Sequence, residues 1–102
     1  MDQEVESRRD ELITLCERFK VKTLEVFGSA ATDEFDSEKS DVDFLVSFLE
    51  LGPGEHADSY FGLLEQLESL FDRHIDLVVT SALTNPYFLD EIEKTRTLLY
   101  AA

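Results

Sequence analysis

The chain has 102 residues, of which 43% are hydrophobic and 11% aromatic, enough apolar material for one core and too much for a disordered segment. Its 9 Lys+Arg face 23 Asp+Glu, a formal net charge of −14, so a DNA or RNA duplex would be repelled and no basic stripe offsets the repulsion. No run approaches the roughly 18 apolar residues of a membrane span, and the charged start MDQEVESRRDE does not read as a signal peptide.

Residues 3–19 carry a helical stripe, with Leu12, Cys16 and Phe19 at spacings of four and three and Val5, Ile13 and Leu15 widening it. Cys16 is the only cysteine; it reads as a small core residue in a reducing, cytoplasmic setting. KTLEVF (22–27) is a strand with Leu24 and Val26 on one face. Gly28-Ser29 ends it, and an acidic loop or short helix runs to Ser40. VDFLVSF (42–48) is nearly unbroken in apolar character, as expected of a strand in the middle of a sheet. Gly52-Pro53-Gly54 is a break, followed by an amphipathic helix over about 57–72 marked by Tyr60, Leu63, Leu64, Leu67, Leu70 and Phe71. IDLVVT (75–80) is a third strand. Asn85-Pro86 opens a last helix to about Thr95 as N-cap and first-turn proline. TLLY (97–100) reads as a short final strand or as a tail docked on a neighbour. The order α-β-β-α-β-α, with an optional last strand, predicts one α/β (α+β) domain over 1–102: a small mixed sheet with helices packed on it.

The chemistry-bearing residues gather at strand ends. Alternation puts Asp41 and Asp43 on one side of an extended strand, where two like charges repel unless a cation lies between them. Magnesium favours such carboxylate oxygens together with substrate phosphates and water. Asp76, second in its strand, is a third candidate, because a charge among core residues needs a partner. Among 23 acidic residues an Asp-x-Asp also arises by chance on an ordinary surface. A calcium loop is excluded, since Leu45 stands where that pattern needs Asp or Asn. Gly28-Ser29 offers a sharp turn, a hydroxyl and backbone N–H groups suited to phosphate; taken alone, the pair reads first as a plain strand-ending turn with Ser29 as an N-cap. His56 and His74 read as loop or surface residues, with His74 at most supporting Asp76.

Together, Gly28-Ser29 and Ser40-Asp41-Val42-Asp43-Phe44-Leu45-Val46 resemble the signature of the DNA polymerase β-type nucleotidyltransferase superfamily: a hydrophobic residue followed by Gly-Gly or Gly-Ser, a loop, two acids alternating with hydrophobic residues, and a third acid on a later strand. The chain length, IDLVV and the tail NPYFLDEIEKTRTLLY resemble the minimal nucleotidyltransferases paired with HEPN-domain toxins. The likeness covers about 22–100. It implies the polymerase β-like fold, Asp41, Asp43 and Asp76 as metal-binding catalytic carboxylates, and Gly28 and Ser29 as nucleotide-phosphate contacts. It further implies two Mg²⁺ ions, ATP as the nucleoside triphosphate, and AMP transfer to a hydroxyl, a tyrosine of a HEPN-type ribonuclease toxin. The chain would then be the antitoxin, in a homo- or hetero-oligomer. One departure stands out: minimal members often read Gly-Ser-x-Ala-Arg-Gly, whereas Thr32-Asp33 occupies the Arg-Gly place and loses the guanidinium fork that suits phosphate. That departure favours an alternative, a protein of the same fold that neutralises its partner by binding alone.

Overall fold

The computed structural model describes residues 3–31, 41–82 and 85–102, with the backbone alone at Ser29, Ala30 and Ala82. In chain order the elements are α1 (Gln3–Ser7), α2 (Arg9–Arg18), β1 (Val21–Phe27), a 3-10 turn (Gly28–Ala31), β2 (Val42–Phe48), α3 (Glu55–Phe71), β3 (Ile75–Val79), a second 3-10 turn (Thr80–Ala82), α4 (Pro86–Thr95) and β4 (Thr97–Ala101). The single helix expected over 3–19 is two. Arg8 leaves helical geometry (φ −102, ψ 10), and the Ser7 hydroxyl donates back to the Glu4 carbonyl at 3.0 Å, a local bond that competes with the helix ladder. The tail is a strand of the same sheet: β4 pairs antiparallel with β1.

The sheet order is β3-β2-β1-β4. β1 and β2 run antiparallel, β2 and β3 parallel, so the sheet is mixed. The parallel pair needs a crossover, which α3 supplies. β2 is interior, in keeping with its apolar run. One face carries Leu24, Val26, Val42, Phe44, Val46, Ile75 and Leu77 against Val5, Leu12 and Cys16 of α1 and α2 and Leu63, Leu67 and Phe71 of α3. Burial pushes the Cys16 thiol up to about 12, so it stays a neutral packing group. Among the described residues the opposite face carries a smaller cluster, Phe27, Leu45 and Ile92 with Val78 against it; Ile92 belongs to α4.

α4 starts where the sequence indicates. Asn85 Oδ1 accepts the Tyr87 N–H at 2.9 Å and Pro86 takes the first turn. Its far end is tied to the sheet by Arg96, whose Nε and Nη2 reach the Glu25 carboxylate at 2.5 and 2.9 Å, while Nη1 donates to Glu93. Among the described residues no helix is long and apolar enough to cross a membrane.

Candidate active site

The strand alternation that buries Val42, Phe44 and Val46 on the main face sends Asp43 to the other side with Leu45. The same alternation in β3 buries Ile75 and Leu77 and sends Asp76 outward with Val78. The parallel register then sets Asp43 directly beside Asp76, and the antiparallel register sets Phe27 on the other side of Asp43. A row Phe27–Asp43–Asp76 therefore crosses the sheet where β1 ends and β2 and β3 begin. Asp41, just before β2, comes to the same end: one ligand atom from each of Asp41, His74 and Asp76 lies within 4.8 Å of the others.

The electrostatics follow from that crowding. The Asp43 carboxyl is pushed up to about 6 by burial, then by a hydrogen bond with Asp76, then by the charges of Asp76 and Asp41; His74 opposes the rise. Two ionised carboxylates are acceptors only, so Asp43 and Asp76 can bond to each other only while one of them holds a proton. A cation in the proton's place would satisfy all three acids without it. An oxygen from each of Asp41 and Asp76 and a nitrogen of His74 lie close enough to share one cation, and Asp43 stands beside Asp76 on the neighbouring strand, a donor set that would suit a divalent ion.

Gly28 opens the 3-10 turn directly over Asp43. It sits at φ +72, and a Cβ built there would lie 2.7 Å from Asp43 Oδ2. The space a side chain would fill is thus taken by the carboxylate. The Gly28 N–H is also engaged, donating to Thr95 Oγ1 at 2.9 Å. Thr95, at the end of α4, carried no signal in the sequence, because its link to the turn spans the whole fold. Ser29 lies in the backbone of the turn, next to this arrangement. Thr32 and Asp33 lie outside the described residues.

His74 is exposed, and its Nε2 lies 3.2 Å from Asp76 Oδ1. Residues two apart in extended chain share a side, which is the signal that links the two in sequence. His56 is remote from the carboxylates, packed edge-on against Phe48 at 5.2 Å between centroids.

Comparisons with known proteins agree with one another. A family model described as "nucleotidyltransferase domain" matches residues 12–99. Two proteins of Methanocaldococcus jannaschii, provisionally named protein adenylyltransferases, are 40% and 35% identical over 80 residues, 78% of either chain in both cases. A solved structure assigned as a minimal nucleotidyltransferase superposes with a TM-score of 0.73 at 28% identity, covering 95% of each chain. A Shewanella oneidensis complex of a tri-AMPylated HEPN toxin with its MNT antitoxin shares the fold at TM-score 0.64 and 17% identity, over 95% of this chain and 72% of that one. A toxin–antitoxin crystal structure with AMP-PNP does so at 0.66 and 18%, over 92% and 73%. With the family model spanning the sheet and the acidic row, and relatives above 30% identity along most of their length, this chain belongs to the nucleotidyltransferase domain family and is a nucleotidyltransferase enzyme.

Proposed function

We propose that the chain is an antitoxin that transfers AMP from ATP, with Mg²⁺, to a tyrosine hydroxyl of a HEPN-type ribonuclease toxin. The observation that carries this reading is the row of Asp43 and Asp76 with Asp41 beside it, on the face of the sheet opposite α1, α2 and α3. The relatives named as protein adenylyltransferases and the AMPylated toxin complex of like fold support the acceptor class. The net charge of −14 favours a basic partner and steers its approach.

In this reading Asp41, Asp43 and Asp76 hold the metal. Bound Mg²⁺ supplies charge neutralisation on the triphosphate and polarises its α-phosphorus. The chain's own residues do the rest. Asp43, locked between Phe27 and Asp76 in the sheet, gives the site a fixed point that needs no reorganisation. Gly28 keeps the backbone turn close over Asp43, and Ser29 at the same turn contacts the phosphates. The acceptor oxygen bonds to the α-phosphorus, the bond to the β-phosphate oxygen breaks, pyrophosphate leaves, and the hydroxyl proton passes to the exposed Asp76 carboxylate.

A second reading, neutralisation by contact alone, is favoured by Thr32-Asp33 in place of an arginine and glycine. One experiment separates the two. The toxin is incubated with wild-type chain or Asp43→Asn, with ATP and Mg²⁺, and followed by intact mass and ribonuclease activity. AMP adducts with wild type and none with Asp43→Asn are expected. Full neutralisation by both proteins without adducts would establish the binding-only reading instead.

A further inference from the structure

Three acids account for the site as the sequence presents it, yet the structure brings a nitrogen donor to two of them, Asp41 and Asp76. α3 is capped by Asp72, a non-glycine residue in left-handed conformation (φ 51), and the chain turns there before entering β3. His74, just ahead of the strand, shares a side with Asp76, and its ring reaches the carboxylate: Nε2 lies 3.2 Å from Asp76 Oδ1. The side chain is 61% exposed, so no packing demand holds the ring in that position. The three ligand atoms of Asp41, His74 and Asp76 lie within 4.8 Å of one another, and in the tautomer protonated at Nδ1 the Nε2 lone pair is free to coordinate.

We propose that His74 is a ligand of the divalent cation held by Asp41 and Asp76, and that its imidazole moves the preference of the site from magnesium toward d-block ions. The proposal rests on the reading of the acidic row as a metal site and adds to it a selectivity residue. The chemistry is general. Magnesium is a hard ion that takes oxygen ligands and keeps several waters, so an imidazole gains it little. Cobalt and its neighbours bind imidazole nitrogen well, in an order that puts them above manganese. Replacing one oxygen-only position by nitrogen therefore raises affinity unequally across these ions.

The test uses the full chain without nucleotide and two probe ions, Co²⁺ and Mg²⁺, titrated by calorimetry into wild type, His74→Ala and Asp76→Asn. His74→Ala is expected to lower Co²⁺ affinity about ten-fold or more and Mg²⁺ affinity by less than about two-fold. Asp76→Asn is expected to weaken both ions. In the Co²⁺-loaded wild type, proton NMR is expected to show a paramagnetically shifted imidazole N–H signal that disappears in His74→Ala. Equal losses for the two ions in His74→Ala, or an unchanged shifted signal, would overturn the proposal, leaving His74 only a hydrogen-bond partner of Asp76. If Asp76→Asn also binds both ions like wild type, the acidic row is not the metal site, and both the proposal and the reading beneath it fall.

Discussion

Gly28→Ala is the sharpest probe of how the site is built, because the two costs it incurs can be told apart. The backbone there is left-handed, at φ +72, which costs an L-residue about 1–2 kcal/mol. The added Cβ would lie 2.7 Å from Asp43 Oδ2, so the carboxyl must turn out of its place beside Asp76, a further cost of about 1 kcal/mol. The sum is about 2–3 kcal/mol, which in a domain of this length lowers the melting temperature by about 10 °C or more. Thermal melts of wild type, Gly28→Ala, Asp43→Ala and the double variant close a mutant cycle. With Asp43 already truncated, the glycine substitution is expected to cost only its backbone part, leaving a coupling of about 1 kcal/mol between the two positions. The same loss in both backgrounds would refute the steric argument and return Gly28 to a purely conformational role.

Metal-free wild type is expected to lose stability as pH rises from about 4 through about 6, since the folded Asp43 carboxyl holds its proton up to about 6 against an ordinary 3.8. The folded state binds more protons across that window, so the sign is a fall of stability with pH. The size is on the order of 1–2 kcal/mol for a carboxyl partly in contact with water, and Asp43→Asn should flatten this part of the melting profile. Arg96→Ala should cost about 1–3 kcal/mol in urea unfolding, and Arg96→Lys should recover little of it, because the paired bonds to Glu25 need the guanidinium fork. Thr32→Arg with Asp33→Gly should tighten ATP binding in calorimetry by removing an acid and adding a phosphate-matching cation; unchanged affinity would mean that this stretch does not meet the triphosphate. Ser29→Ala should weaken ATP binding by about 1 kcal/mol, the worth of one neutral hydrogen bond.

The strands were legible because their residues carry the period of two. VDFLVSF and IDLVV announce both their burial and the outward turn of their acids. Element order foretold a mixed sheet, and Asn85-Pro86 the start of α4, since capping is a local matter. Adjacency was harder. Nothing in residues 42–48 says which strand lies beside them, so the contact of Asp43 with Asp76 could be expected from family likeness and not from spacing. The two features least visible were of the same kind. The Asp43 carboxylate against Gly28 and the Thr95 hydroxyl on the Gly28 N–H are tertiary contacts with no sequence period behind them. The break at Arg8 was hidden for the opposite reason: the apolar stripe continues across it while one serine hydroxyl diverts the backbone.

The parallel pairing of β2 with β3 has a kinetic consequence. Asp43 and Asp76 become neighbours only after the chain has laid down the whole of α3 and returned, and parallel pairing across such a loop is a late, entropically costly event. A slip of one residue in that register would send Asp76 to the helical face, so an intermediate with β1 and β2 already paired as a local hairpin still lacks an assembled acidic row. In stopped-flow refolding the capture of a cation probe should therefore trail the bulk of secondary-structure formation, and enter with the final phase. Newly made chains would gain the site all at once, at the moment β3 locks onto β2 at the edge of the sheet.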